Sequence, residues 1–384
     1  MSERSPIVIF SAGEASGDQH AAHVFEALKQ RIPNVRGLGM GASRMQQAGI
    51  ELAYDSAGIG VIGLVEVLKH YAEIRRALKI MQALVLKQRP DLLVCVDYKE
   101  FNLKLAKFAK AHGIKVLFYV SPQVWAWRPG RVETYGRAID MMAVIFPFET
   151  AYYDAKQVPV RYVGHPSVDK VKALRSRAED FELFGLNPDQ AVVGVLPGSR
   201  SNEIKRMLPV MLEAVERLHQ QQPELQFLLP QADSITDTVL NAYLQECKLP
   251  IKVIKQQAYD VIQCCDAVMT TSGTASLEIA LLGIPMVIGY RLSAFTYWLG
   301  RLLVNIKFIG LPNIIAGRGI VRELIQDDLT SENLSEEISR LLSDSLYRDA
   351  CLTGLQEVKA QLGQGGGTQK MADLIVEMLG ARQI

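Results

Sequence analysis

Thr270-Thr271-Ser272-Gly273-Thr274-Ala275-Ser276-Leu277-Glu278 follows the apolar run Ala267-Val268-Met269 and leads into an apolar helical pattern ending at Gly283-Ile284-Pro285. Read locally, it is a strand end, a small-residue turn and a helix start. Gly and small hydroxyl residues there expose backbone N–H groups at the positive end of a helix, which suits a diphosphate. Ser272, Gly273, Thr274 and Ala275 are the candidate contacts. Glu278 falls about one turn into the helix, where a carboxylate can accept hydrogen bonds from ribose hydroxyls. The same window also reads as an ordinary capped helix. The rest of the chain has to decide between the two.

Working outward, apolar strand-like runs alternate with amphipathic helical segments. Residues 7–11 lead to a Gly-rich loop and a helix over about 18–30. Residues 92–96 lead to a helix over about 103–111, then come strands at 115–120 and 141–146. After Val163-Gly164-His165-Pro166 a second series begins, with strands at 192–196, 226–229, 252–254, 267–269 and 286–290, and a helix over about 207–221. The charged stretch 170–180 reads as helical and solvated. This βα repeat predicts two α/β domains with parallel, doubly wound sheets. The expected division is 1–165, completed by a C-terminal helix from 355–384, and 166–354. Ligands of such halves bind at strand C-terminal ends, in a cleft between domains.

Size and composition agree with that reading. At 384 residues the chain exceeds one typical core. The net charge of +1 gives no global attraction to nucleic acid. Cys95, Cys247, Cys264, Cys265 and Cys351 are odd in number and form no metal-ligand spacing, which fits a reducing compartment. The start of the chain lacks a signal-peptide pattern, and the apolar run at 279–290 is too short to span a bilayer. The expectation is a cytoplasmic chain. A homodimer is compatible with these readings without being required by them.

Several loops carry candidate chemistry. Gly13-Glu14-Ala15-Ser16-Gly17-Asp18 is a Gly-permitted turn after the first strand, neither a dinucleotide fingerprint nor a Walker loop. It also reads as a tight turn with Asp18 as a helix cap. Asp97, after strand 92–96, is the best placed general base for a hydroxyl nucleophile, with Glu14 and Asp18 as rivals and Asn102 nearby. A loop Asp capping the next helix fits equally. Leu196-Pro197-Gly198-Ser199-Arg200 is the equivalent turn of the second half, and its Arg200 can meet a phosphate. Asn313 can bond a phosphate or base, or cap a helix. The segment 122–131 holds Gln123, Trp125, Trp127 and Arg128 in a Pro-shaped loop, either a sugar- or phosphate-contacting wall or a packed edge. Val61, Ile62, Leu64, Val65 and Leu68 form an apolar run followed by Lys69, Arg75, Arg76 and Lys79. That order suits acyl chains and an anionic membrane surface, and equally a buried helix with a basic face.

Taken in order, these segments resemble the lipid-A-disaccharide synthase family. The run Val120-Ser121-Pro122-Gln123-Val124-Trp125-Ala126-Trp127-Arg128 is the most specific signature. Gly13 to Asp18, Val163 to Pro166, Leu196 to Arg200 with Glu203-Ile204, Ser272 to Glu278, Gly289-Tyr290-Arg291, and Leu311 to Asn313 with Ala316 to Arg318 complete the set. One departure stands out: Lys99-Glu100 fill a stretch where the family often has Pro. The resemblance implies a GT-B fold and a metal-independent, cofactor-free inverting glycosyltransferase. Its donor is a UDP-2,3-diacylglucosamine and its acceptor 2,3-diacylglucosamine 1-phosphate. Asp97 is then the base; Ser16, Arg200, Ser272, Gly273, Thr274, Ala275, Glu278 and Asn313 serve the donor; Gly13, Glu14, Asp18, Asn102, Gln123, Trp125 and Arg128 line the acceptor loops. It also implies peripheral association with the inner face of the inner membrane. Rival readings are a sugar-nucleotide epimerase, a soluble GT-B transferase, or a non-catalytic nucleotide- or lipid-binding protein.

Overall fold

A computed structural model describes residues 5–57, 70–127, 130–245, 247, 249, 251–292 and 307–380. The chain divides into two compact units, one of residues 1–166 with 365–384 and one of residues 167–364.

Among the described residues of the first unit, seven strands form a parallel sheet in the order β3-β2-β1-β4-β5-β6-β7. They are β1 (Ile7–Ala12), β2 (Arg36–Gly41), β3 (Glu51–Asp55), β4 (Leu92–Val96), β5 (Val116–Tyr119), β6 (Met141–Val144) and β7 (Val160–Tyr162). The central strands β1 and β4 are buried along their whole length, so they read as continuous apolar runs. Side chains alternate across the sheet. Ile7 and Ile9 join the core beneath the Tyr71–Gln88 and Lys99–Ala111 helices. Val8 and Phe10 face the Ala15–Arg31 helix.

The second face is closed by the Gly367–Leu379 helix, which buries Met371, Ala372, Leu374, Ile375 and Val376. Arg31 Nε donates to Asp373 Oδ1 at 2.5 Å and Arg31 Nη1 to Gln369 Oε1 at 2.8 Å. Gly164, at φ 101°, lets Gly367 approach: a Cβ at Gly164 would lie 3.3 Å from the Gly367 Cα. The Val163-Gly164 motif thus seats the returning C-terminal helix. The return begins later than residue 355. The Ser345–Leu362 helix runs through that position and belongs to the second unit, where Gly354 sits against Ile320.

Among the described residues of the second unit, six parallel strands repeat the pattern as β10-β9-β8-β11-β12-β13. These are β8 (Val192–Leu196), β9 (Gln226–Gln231), β10 (Ile251–Lys255), β11 (Ala267–Thr271), β12 (Met286–Tyr290) and β13 (Arg322–Ile325). The expectation of one solvated helix over 170–180 does not hold. Helices Pro166–Lys170 and Arg177–Leu183 flank a turn. Asp260 accepts the Leu174 and Arg175 backbone N–H groups at 2.7 and 3.2 Å, and Arg175 Nε reaches the fully buried Asp180 at 2.5 Å. Partners some eighty residues away have turned a charge run into a pinned seam.

The helix that closes the first unit supplies a test. Ile375 is completely buried, so Ile375→Ala should cost ~2–4 kcal/mol through lost burial and a residual cavity. Leu174, 82 % exposed, should tolerate the same change. Urea midpoints of the two variants measure the difference.

Candidate active site

In the first unit, β1 and β4 are neighbours, but the helices after them lie on opposite faces. This is the switch point at which open α/β sheets bind ligands. Glu14 follows β1 and Asp97 follows β4. Beneath them lies Asn102, completely buried. Its amide donates to the carbonyls of Ser11 at 3.1 Å, Val96 at 3.3 Å and Asp97 at 2.8 Å. Its carbonyl oxygen accepts from Ser11 Oγ at 2.6 Å. Asn102 therefore ties the two strand ends together and holds the Asp97 backbone. Its side chain is committed within the chain instead of facing an acceptor.

Asp97 and Tyr98 both sit in the left-handed region, at φ 48° and 43°. Such residues persist where surrounding structure holds them, often at functional sites. The Tyr98 ring covers Gly13 so closely that any Cβ there would enter the ring. Burial raises the Asp97 carboxyl above its ordinary value, against lowering by Lys99 and by the Tyr98 backbone N–H. Burial likewise raises Glu14, which Asp97 raises further and Lys99 lowers. The result is two carboxyls held above their ordinary values, with one lysine beside them.

Other expected residues of this unit take different positions. Asp18 is buried and accepts three backbone N–H groups, from Ala42 at 2.6 Å, Arg44 at 3.0 Å and Met45 at 3.2 Å. It anchors the start of the Ser43–Gln47 helix, so it is neither a cap of its own helix nor a rival base. Trp125 donates Nε1–H to Glu149 at 3.3 Å and meets Phe148 edge to face at 5.4 Å. It props its loop from inside. Ser16 and Gln123 are exposed. Ser16 lies in the first unit, whereas the other donor candidates belong to the second. Arg128 and the apolar run Val61, Ile62, Leu64, Val65 and Leu68 lie outside the described residues.

In the second unit the switch point falls between β8 and β11. The turn after β8 is filled by its own chain. Glu203 Oε2 accepts the N–H groups of Ser199 and Arg200 at 2.9 and 3.2 Å, and Glu203 Oε1 accepts from Arg200 Nη1 at 3.1 Å. Glu203 thereby aims the exposed Arg200 guanidinium. The turn after β11 is open. Among the described residues nothing accepts the N–H groups of Gly273, Thr274 and Ala275, which head the Thr274–Leu282 helix. Ser272 Oγ donates to the Ile309 carbonyl at 2.9 Å. Glu278, in the same helix, is held by the Tyr259 hydroxyl at 3.0 Å, and burial raises its carboxyl.

A hollow of about 170 Å³ lies between the β8 turn and the end of β11, lined by Arg200, Glu203, Arg206, Arg291 and Thr271 among others. The Thr271 hydroxyl is buried with no hydrogen-bond partner among the described residues. A buried unpaired hydroxyl is costly unless a ligand completes it. Asn313 does not reach a ligand. It accepts the N–H groups of Ile320 and Val321 at 2.8 and 3.0 Å and donates to Glu323 at 2.7 Å and the Val321 carbonyl at 2.9 Å. Tyr98 and Tyr259 are site neighbours that pattern reading missed, and Lys99, Thr271 and Glu203 were noted in their motifs without a site role. Only their places at strand C-terminal ends could have flagged them.

Two Rossmann-type units, one with an acidic switch point and one with an open helix N-terminus, have the build of the GT-B class, to which glycosyltransferases belong. Residues 8–376 match the family described as lipid-A-disaccharide synthetase, and the chain belongs to that family. It is 47 % identical to the lipid-A-disaccharide synthase of Nitrosococcus oceani, over 99 % of this chain and 98 % of that one. Among solved structures it resembles the glycosyltransferase of kitacinnamycin, with TM-score 0.66 and 18 % identity over 98 % of this chain and 99 % of that one. It also resembles UDP-GlcNAc 2-epimerase from Neisseria meningitidis bound to UDP-GlcNAc, with TM-score 0.62 and 12 % identity over 98 % of this chain and 99 % of that one. At those identities the structural likeness speaks for the fold.

Asp97 carries a prediction that does not depend on turnover. Its folded carboxyl lies above 3.8, so the folded chain holds that proton more tightly than the unfolded chain. The associated stability is complete below the unfolded value and is lost as pH rises through the folded one. Asp97→Asn should therefore be more stable than wild type at about pH 8, with the gain vanishing below about pH 4. Urea titrations at the two pH values decide it; an equal gain at both would mean the carboxyl is unshifted.

Proposed function

We propose that this chain transfers 2,3-diacylglucosamine from UDP-2,3-diacylglucosamine to the 6-hydroxyl of 2,3-diacylglucosamine 1-phosphate, giving the β-1,6 disaccharide 1-phosphate and UDP. The placement of Asp97 at the first switch point, in a left-handed conformation clamped by Asn102 and with Glu14 nearby, is the observation that carries the reading. The second unit receives the donor. The open N–H groups of Gly273, Thr274 and Ala275 take the diphosphate, Arg200 adds charge, and Glu278 meets the ribose. The first unit receives the acceptor. Asp97 removes the proton from the 6-hydroxyl as its oxygen attacks the anomeric carbon from the face opposite UDP. The carbon–oxygen bond to UDP breaks, and UDP leaves with the electron pair. Inversion follows from that in-line geometry. Preorganised N–H groups and the guanidinium stabilise the charge growing on UDP. A carboxyl raised above its ordinary value is a stronger base than an ordinary aspartate.

Asp97→Ala should lower kcat by about 10²–10⁴, with UDP affinity retained. The wild-type reaction should persist in EDTA. Mass spectrometry of the disaccharide phosphate and UDP reads both. Near-wild-type turnover in a folded Asp97→Ala enzyme would remove this residue from the mechanism.

The substrates are lipids, and we place the enzyme at the inner face of the inner membrane as a peripheral protein. Among the described residues no helix is long and apolar enough to cross a bilayer. Arg75, Arg76 and Lys79 are exposed on the Tyr71–Gln88 helix and suit anionic headgroups. Replacing Val61, Ile62, Leu64, Val65 and Leu68 by Ser should weaken co-sedimentation with anionic liposomes. Unchanged sedimentation would exclude that segment as the anchor.

A further inference from the structure

A cavity lies beside the Asp97 loop, and neither the donor site nor the base uses it. It is a groove of about 460 Å³ between the Tyr71–Gln88 and Lys99–Ala111 helices. That volume is within the ~300–1,000 Å³ range of small-molecule sites. Tyr71, Ile74 and Leu78 recur at helical spacing on one wall, and Phe101 forms part of the other. The rim is cationic. Arg75, Lys99 and Lys104 line it, and among the described residues none of the three is in a salt bridge. The acidic Glu100 on the same rim is neutralised by Arg131 at 2.6 Å. An apolar trough edged by cations that have no ion pair among the described residues matches a molecule with both an alkyl chain and an anionic group.

The groove is continuous with the catalytic loop. Tyr98 and Lys99 line it, and both directly follow Asp97. Lys99 also lowers the Asp97 and Glu14 carboxyls, so its charge reaches the base. A ligand in the groove is therefore a ligand of the acceptor side. We propose that this groove holds an acyl chain of the acceptor, with Arg75 and Lys104 on its 1-phosphate. The proposal rests on the transferase reading above and names the residues that select an acylated, phosphorylated acceptor. It also divides the Tyr71–Gln88 helix: Arg75 serves the substrate, while Arg76 is outside the groove lining and remains available to the membrane.

The test compares Leu78→Glu, Leu78→Phe and Lys104→Glu with wild type in detergent micelles, where membrane recruitment plays no part. Leu78→Glu should raise the KM for 2,3-diacylglucosamine 1-phosphate about tenfold with donor KM unchanged, because it sets a charge against the chain. Leu78→Phe narrows the groove without adding charge and should shift preference toward shorter acyl chains. Lys104→Glu should shrink, about tenfold, the discrimination between the acceptor and its analogue lacking the 1-phosphate. A merely structural role would not move that ratio. Equilibrium binding of 2,3-diacylglucosamine 1-phosphate is measured in parallel, and the same shifts are expected there. If wild type binds this lipid with those shifts yet makes no disaccharide, the transferase reading fails and the groove stands. If disaccharide forms and the shifts are absent, or fall on the donor KM, the groove assignment is overturned.

Discussion

A buried amide holds the first unit's site in shape. Asn102 is closed off from solvent, and each of its polar atoms has a partner on β1, β4 or the Asp97 backbone. Parallel strands diverge past their last ladder bond, and a ligand site at that point needs something to fix the divergence. A side-chain amide can do so because it donates and accepts on one rigid plane. The two left-handed residues above it, Asp97 and Tyr98, cost of order 1–3 kcal/mol each. They are retained because Asn102 holds the preceding carbonyls and the Tyr98 ring lies on Gly13. Removing the amide would leave several buried groups unpaired, each worth about 1–3 kcal/mol.

The two units use the same switch point for opposite electrostatic purposes. In the first, burial gathers two carboxylates whose protons are held more tightly than usual. In the second, the N–H groups of the β11 turn have no acceptor among the described residues, and Arg200, Arg206 and Arg291 line a hollow at the end of β11. Both β8 and β11 end in Gly-containing turns followed by a helix, yet only one is open. Glu203 already occupies the N–H groups of Ser199 and Arg200, so the β8 turn contributes an aimed arginine instead of an anion cradle. A proton acceptor in one unit and an anion holder in the other are the two things a sugar transfer between hydroxyl and diphosphate requires.

Much of this was legible in the sequence, for physical reasons. The central strands β1, β4, β8 and β11 are buried on both faces and read as unbroken apolar runs. Strand β2 was missed because it is Arg-Gly-Leu-Gly-Met-Gly, whose Gly37 and Gly39 make room for Phe25 and the Phe10 backbone. Edge strand β3 was missed because it is only half buried. The errors at the site share one cause. Asp18, Asn313 and Trp125 have the residue types that bind ligands, but their hydrogen-bonding atoms are taken by segments elsewhere in the chain. A window of sequence shows what a side chain can bond, not whether a partner has already taken it.

Lys99 shows the same limit from the other side. By pattern it is a surface lysine at a helix start, and it marks a departure from the resembling family. In the fold its charge lowers both members of the carboxylate pair. Burial favours the neutral form of both carboxyls, and for Glu14 the neighbouring Asp97 adds to it. A base that has already captured a proton cannot take one from the acceptor. Lys99 offsets part of both effects, so it favours an ionised Asp97 while burial keeps that carboxyl basic. Its place on the groove rim gives the same charge a second partner, since an anionic acceptor bound there would draw on it. An arriving phosphate that screens Lys99 would raise the affinity of Asp97 for a proton, at the moment when a proton has to be removed.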